Sequence, residues 1–325
     1  MKKQGSHLWS TILICCGLAS MPLLAWGDIF IVLSHDAAPY REVQAGFQAA
    51  VVAQSKSENF AVEVVEDEWR VGAALQKMKA LAPRLILTLG AKATRSILAH
   101  EHDIPVIASL IVNDEPLQQA ANATAVTLEF PAALQWRWLR QVLPGANRVG
   151  VLYSPQENEA LFQALVRLAK SESVELQALP AGSPEALPKL FERLPNDLDA
   201  VWPLGSTQLF VPASVRELLL YSFRNSLPLI GLSTSWVEAG ALYALERDYT
   251  DLGRQCAELA LQILGGDKTA ARPAAQSPRS VSLAINLKTA AHMKLNISES
   301  LVRDAREVFR LPRAIPFPSQ ADSTC

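Results

Sequence analysis

The chain has 325 residues, half of them hydrophobic, and its 30 Lys and Arg against 32 Asp and Glu leave a formal net charge of −2. A balance this near neutral, with no basic stripe, excludes the electrostatic footprint of a protein that holds nucleic acid or an anionic membrane surface. The four cysteines, at positions 15, 16, 256 and 325, have no spacing that would make a disulfide framework.

Lys2 and Lys3 precede a mostly apolar run from Leu8 to Trp26, which ends in Ala25-Trp26-Gly27, the small-x-small pattern of a signal-peptidase site. The pattern predicts a leader over 1–27, cleavage after Gly27 and an exported, periplasmic product that begins at Asp28. That leader holds two lysines and no acids, so its removal takes the net charge from −2 to −4. Ser10, Thr11, Gly17, Ser20 and Pro22 make the run a poor permanent membrane span. Ile14 before Cys15, and Cys15 before Cys16, are not the small residue that a lipoprotein peptidase requires.

From Asp28 onward, short apolar runs alternate with amphipathic ones. Strands are predicted at "DIFIVLS" (28–34), "NFAVEVVE" (59–66), "RLILTLG" (84–90) and "IPVIASL" (104–110), with helices over 41–55, 71–81 and 93–100 between them. After Pro144 the rhythm restarts with strands at 148–154, 174–180, 198–205 and 227–233, separated by helices over 158–171, 184–194 and 211–225. Strands apolar on both faces that alternate with helices predict parallel sheets covered on both sides, and two such sets predict two α/β lobes. The remainder reads as a short strand, a long helix ended by Gly265-Gly266, a linker "TAARPAAQSP", a strand and short helix over 280–298, and a last helix near Glu299 to Phe309. The proline-rich residues 311–325 read as a flexible tail.

The two sets share a design. "RLILTLGAKATRSILAHEHDIPVIAS" and "LDAVWPLGSTQLFVPASVRELLLYSFRNSLPLIGLS" both run strand, Leu-Gly, small or polar residues, helix, and a Pro-containing strand. Each lobe therefore presents a glycine loop at the carboxyl end of a central strand, where ligands of open α/β sheets sit. Gly90-Ala91-Lys92 is not a phosphate cradle, because no glycine stands several residues before the lysine. Two readings of it stay open: a helix N-terminus whose free N–H groups receive an anion, or a plain strand-to-helix turn. Ser34-His35-Asp36 ends the first strand, but sequence neighbours there do not form a catalytic triad, and no Gly-x-Ser-x-Gly elbow exists. His100, Glu101, His102 and Asp103 read as a solvated helix end, and no partner cluster supports a metal. No convergent acid–base set points to an enzyme, and no motif calls for a cofactor.

The stretches "LILTLGAKAT…IPVIASLIVNDEP", "RVGVLYSPQEN", "LPLIGLSTSWVEAGALYALERDYTDLGRQCAELALQILGGD" and "LAINLKTAAHMKLNIS" resemble the ABC-transporter substrate-binding proteins of the type that includes tryptophan- and tyrosine-binding receptors. The resemblance covers about residues 28 to 310. It implies the type I periplasmic-binding-protein fold, with two Rossmann-like lobes joined by three hinge crossings near Thr124–Phe130, Leu245–Tyr249 and Pro273–Ser280. Lobe one would be 28–125 plus 248–276, and lobe two 126–247 plus 277–310. The implied activity is capture of a small molecule between the lobes for an ABC permease. Candidate ligand contacts are Ser34, His35, Gly90, Ala91, Lys92 and Ser109 in lobe one. Those in lobe two are Tyr153, Ser154, Asn158, Gly205, Ser206, Thr207 and Ser233.

Two loops depart from the family pattern. Gly90-Ala91-Lys92 stands where relatives usually carry a set such as Gly-Thr-Pro, and Gly205-Ser206-Thr207 lacks the aspartate that many relatives carry there. A lysine in one lobe and no evident acid in the other favour a small polar or anionic ligand over an amino acid. Whether Lys92 faces the cleft or water stays open. The same departures motivate an alternative: a periplasmic sensory or interaction protein that keeps the clamshell and signals to a membrane sensor without transport.

Overall fold

The computed structural model describes residues 29–55, 59–265 and 273–310. The leader expected at 1–27 and the tail expected at 311–325 lie outside the described residues. The first unit runs β1 (Ile29–Leu33), α1 (Ala38–Ser55), β2 (Phe60–Val64), α2 (Glu68–Leu81), β3 (Leu85–Leu89), α3 (Ala91–Leu98), β4 (Val106–Ser109) and β5 (Ala123–Val126). All five strands are parallel, in the order β2-β1-β3-β4-β5. Strands β1 and β3 are buried at every position, as expected of a sheet with helices on both faces.

The second unit runs α4 (Ala132–Val142), β6 (Arg148–Tyr153), α5 (Pro155–Ser171), β7 (Glu175–Pro180), α6 (Leu187–Phe191), β8 (Ala200–Pro203), α7 (Pro212–Arg224), β9 (Ile230–Gly231), α8 (Thr234–Ala239) and β10 (Tyr243–Arg247). The chain then returns to the first unit as α9 (Tyr249–Leu264) and comes back again as β11 (Val281–Asn286), α10 (Leu287–His292), α11 (Glu299–Asp304) and β12 (Glu307–Phe309). The order β7-β6-β8 continues through a parallel bridge, Val201 to Leu229, into β9-β10-β11-β12. Only β10 and β11 pair antiparallel among the described strands.

Two readings from the sequence needed correction. The last helix stops at Asp304, and Glu307–Phe309 form a strand beside β11 instead. The helix expected over 184–194 is a 3₁₀ turn followed by the five residues of α6. Strand β5, of only four residues, is not read from the sequence, being too short for its own alternation to show.

Three chain segments pass between the units, and they lie side by side. Gln276 donates its N–H to the Ala125 carbonyl at 2.8 Å, and Thr127 returns the bond to the Gln276 carbonyl at 2.9 Å. Thr124 Oγ1 donates to the Pro273 carbonyl at 2.8 Å. Arg279 anchors the third crossing on α9, donating to Asp251 at 2.8 and 2.9 Å and to Glu258 at 2.9 Å. Asp251 is buried, and hydrogen bonds from Arg279 and Arg254 hold its carboxyl below the usual range.

Helix α9 is fixed by a backbone contact with α1. A Cβ at Gly253 would fall 2.2 Å from the Val43 carbonyl oxygen, and one at Gly46 would fall 2.2 Å from the Thr250 carbonyl oxygen. Both helices must part to admit a methyl group there. The Gly253→Ala variant should therefore lose about 1–3 kcal/mol of stability, read as a lowered midpoint in urea unfolding. The open position Gly72, with nothing within 4 Å of its Cβ site, should accept alanine without loss.

Candidate functional site

The glycine loops do sit at the carboxyl ends of their sheets, but most of the residues singled out there are committed to the scaffold. Gly90 adopts φ 92°, and a Cβ would come 2.6 Å from Ser34 Oγ, so the turn excludes a side chain on two counts. Ser34 is buried and its Oγ accepts the Ala93 N–H at 2.9 Å. Gly90 itself donates its N–H to the Ser109 carbonyl at 2.8 Å. Two of the amide groups at the start of α3, those of Gly90 and Ala93, are thus satisfied internally. Lys92 is half-buried and is absent from the cavity wall, and its Nζ donates to the Glu66 carbonyl at 2.8 Å. His35 is exposed and meets the Tyr40 ring edge-on. Ser109 is fully buried, its Oγ donating to the Val126 carbonyl at 2.8 Å. Cys256 is buried too, and burial pushes its thiol up to about 12.

In the second unit the predicted residues form a clasp. Asn158 accepts the Ser154 N–H at 3.2 Å and donates to the Gly205 carbonyl at 2.8 Å. The Glu157 carboxylate accepts the hydroxyls of Ser206 and Thr207 and the Thr207 N–H. The expectation of no acid at this loop is thereby overturned, because helix α5 supplies the carboxylate that the loop itself lacks. Tyr153 is buried against Phe162, their rings stacked at 4.4 Å.

Between the units lies a cavity of about 250 Å³. Gly205, Ser206 and Ser233 are among its lining residues, and none of the six residues proposed for the first lobe is. Its other polar walls come from the crossings: Glu129 and Gln135 around the first, Arg247 and Tyr249 around the second. Val112, Leu128, Phe130, Leu161 and Leu232 supply an apolar surface.

Arg247 dominates the electrostatics. Its Nε donates to the Leu128 carbonyl at 2.6 Å and its guanidinium lies over the Phe130 ring, 4.7 Å from the centroid. Burial lowers its pKa, yet guanidinium stays charged at any relevant pH. Its two Nη groups make no hydrogen bond among the described residues. Glu129 is half-buried, with no hydrogen bond or ion pair among the described residues, and burial, then the charge of Asp114, push its carboxyl up to about 7, against the opposing pull of Arg247. Tyr249, pushed up to about 12 by burial, donates to Glu246 at 3.4 Å.

Sequence reasoning missed Arg247, Glu129, Tyr249, Phe130 and Val112. A signal existed: "LERDY" (245–249) puts charges at the end of an otherwise apolar strand, in a segment already identified as a crossing. "LEFP" (128–131) places an acid in the crossing that faces it.

Two parallel-sheet lobes, three crossings and a cavity between them define a two-lobed solute-binding protein. Residues 28–309 match the family model of ABC transporter substrate binding proteins, and the chain belongs to that family. A "Tyrosine-binding protein" of Clostridioides difficile (strain R20291) is 24% identical over 164 residues, 50% of this chain; the match spans a little under half of that relative, 46% of its length. The fold is similar to that of an ABC domain from Streptococcus pneumonia in complex with L-Trp, at 19% identity and a TM-score of 0.65 over 86% of this chain and 99% of that one. It is also similar to the ligand-free, open structure of a substrate binding protein with adhesive properties from Clostridium difficile, at 16% identity and a TM-score of 0.69 over 87% and 99%. A periplasmic component of a sugar transport system from Hahella chejuensis, at 16% identity, aligns at 0.51 over 78% and 98%. These likenesses place the chain in the type I periplasmic-binding-protein fold.

The raised Glu129 pKa has a stability consequence with a definite sign. A carboxyl at about 7 in the fold, against 4.5 unperturbed, contributes stability below pH 4.5 that is lost as pH rises through 7. Glu129→Gln should therefore raise the melting temperature of the ligand-free protein at pH 8 and leave it near wild type at pH 4.5, by differential scanning fluorimetry.

Proposed function

We propose that the chain is an exported solute-binding protein that closes lobes 28–125 plus 248–276 and 126–247 plus 277–310 around a small molecule for delivery to an ABC importer. The leader pattern at 1–27 with cleavage after Gly27 supports a periplasmic location. Family membership supports a small-molecule ligand and a permease partner, and solute binding rather than catalysis.

The ligand class that the cavity fits best is a zwitterionic amino acid with an apolar side chain, rather than the purely anionic solute that Lys92 would have selected. The observation that carries this reading is Arg247, a half-buried guanidinium that lines the cavity and whose two Nη groups make no hydrogen bond among the described residues. Such a fork pairs with a carboxylate through two parallel hydrogen bonds. Glu129 supplies the opposite charge for an ammonium group, and the walls from Val112, Leu128, Phe130, Leu161 and Leu232 fit an apolar side chain. A volume of about 250 Å³ suits a ligand of this size. The relatives' tyrosine and L-Trp ligands are in keeping with the class.

Calorimetry against a panel of amino acids, organic acids and sugars tests the reading. Apolar and aromatic amino acids should bind, and Arg247→Ala should weaken them at least about thirty-fold, the cost of leaving a buried carboxylate unpaired. Affinity should rise as pH passes upward through 7, where Glu129 ionises, and Glu129→Gln should remove that dependence. Binding confined to sugars, or an Arg247→Ala variant with unchanged affinity, would sink the amino-acid reading.

A further inference from the structure

The segment that follows β4 leaves its own unit and touches the other. Leu110 turns the chain with φ 55°, a left-handed conformation that is strained for a residue with a Cβ. Ile111 is then pinned at the base, its carbonyl accepting the Leu128 N–H at 2.8 Å. Val112 stands 3.5 Å from the Cβ site of Gly205 in the second unit and also lines the cavity. Asn113 uses both ends of its amide. Its Oδ1 accepts the Glu115 N–H at 3.2 Å within its own unit, and its Nδ2 donates to the Glu157 carbonyl at 2.8 Å in the other.

The receiving surface is equally fixed. Glu157 lies in the first turn of α5, and its carboxylate holds the Ser206-Thr207 loop. Asn158 holds Gly205 from the same turn. Asn113 therefore bonds to the one turn that organises the opposite wall of the cavity. Away from the three crossings, it is the hydrogen bond that ties the two units together among the described residues.

We propose that residues 110–114 are a latch that holds the lobes together across the cleft, with Asn113 as its positioning residue and Val112 as the part that senses the cavity. Separation of the lobes breaks the Asn113–Glu157 bond and withdraws Val112 from Gly205. Filling the cavity supports Val112 from below and favours the latched state. The backbone strain at Leu110 is maintained because it aims both side chains across the gap. The functional meaning of the latch rests on the cleft being the ligand site, but its mechanical action does not.

Asn113→Asp isolates the latch. It keeps Oδ1 for the Glu115 N–H, removes the donor and sets a carboxylate against the Glu157 carbonyl. Spin labels at the exposed positions Val52 and Phe223, in different lobes, report the inter-lobe distance by pulsed electron resonance; Cys15, Cys16 and Cys325 are replaced by Ser, while buried Cys256 stays. In ligand-free protein, Asn113→Asp should shift the closed-to-open ratio about five-fold toward longer distances, the effect of one net hydrogen bond. Val112→Gly should act in the same direction. Amide hydrogen exchange should quicken in both 110–114 and 205–208, whereas a purely local role would quicken only the first. Unchanged distance distributions in both variants would overturn the latch, whatever the protein binds. Failure of every amino acid to bind, with the shift present, would overturn the ligand reading alone.

Discussion

Helix α9 can lie on α1 with its backbone in contact only because Gly46 and Gly253 have no side chains. That contact returns the chain from the second sheet to the first at a fixed place. It sets where β10 ends, and hence where Arg247, its last residue, stands. The third crossing is then tied to the same helix through Arg279 and Asp251. Everything between the lobes is positioned from this one helix pair: the crossings, the guanidinium and the acid that faces it.

The charge arrangement follows from that geometry. An arginine at the end of a central strand is stripped of water by the units on either side, and the Phe130 face and the Leu128 carbonyl replace part of its hydration. The two outer nitrogens make no hydrogen bond among the described residues, so a half-buried charge keeps donors free of protein partners. Glu129 is the counterpart, a carboxyl that burial and neighbouring Asp114 push up to about 7.

The polar residues of the glycine loops serve a different purpose. Ser34 holds the Ala93 N–H, Gly90 donates to the Ser109 carbonyl and Ser109 Oγ to the Val126 carbonyl, and Ser154, Asn158, Ser206 and Thr207 converge on α5. These bonds make each lobe's cleft face rigid, so that motion is concentrated in the crossings and in the contact at Val112 and Asn113. Lys92, bound to the Glu66 carbonyl, belongs to this framework.

The sequence by itself determined the alternation of parallel strands and helices, the two-fold repeat of the strand–Leu-Gly–helix unit and the position of the glycine loops. Those features depend on local periodicity and on glycine's backbone freedom, both of which are written in consecutive residues. The family resemblance, not the local pattern, put two crossings at Glu129 and Arg247, without assigning those residues a role. Tertiary structure alone decided which polar groups point into the cleft. Ser34 and Lys92 were consumed by partners 59 and 26 residues away, while Arg247 met Leu128 across 119. A side chain's vacancy for a ligand depends on whether distant neighbours have satisfied it, and no local pattern records that.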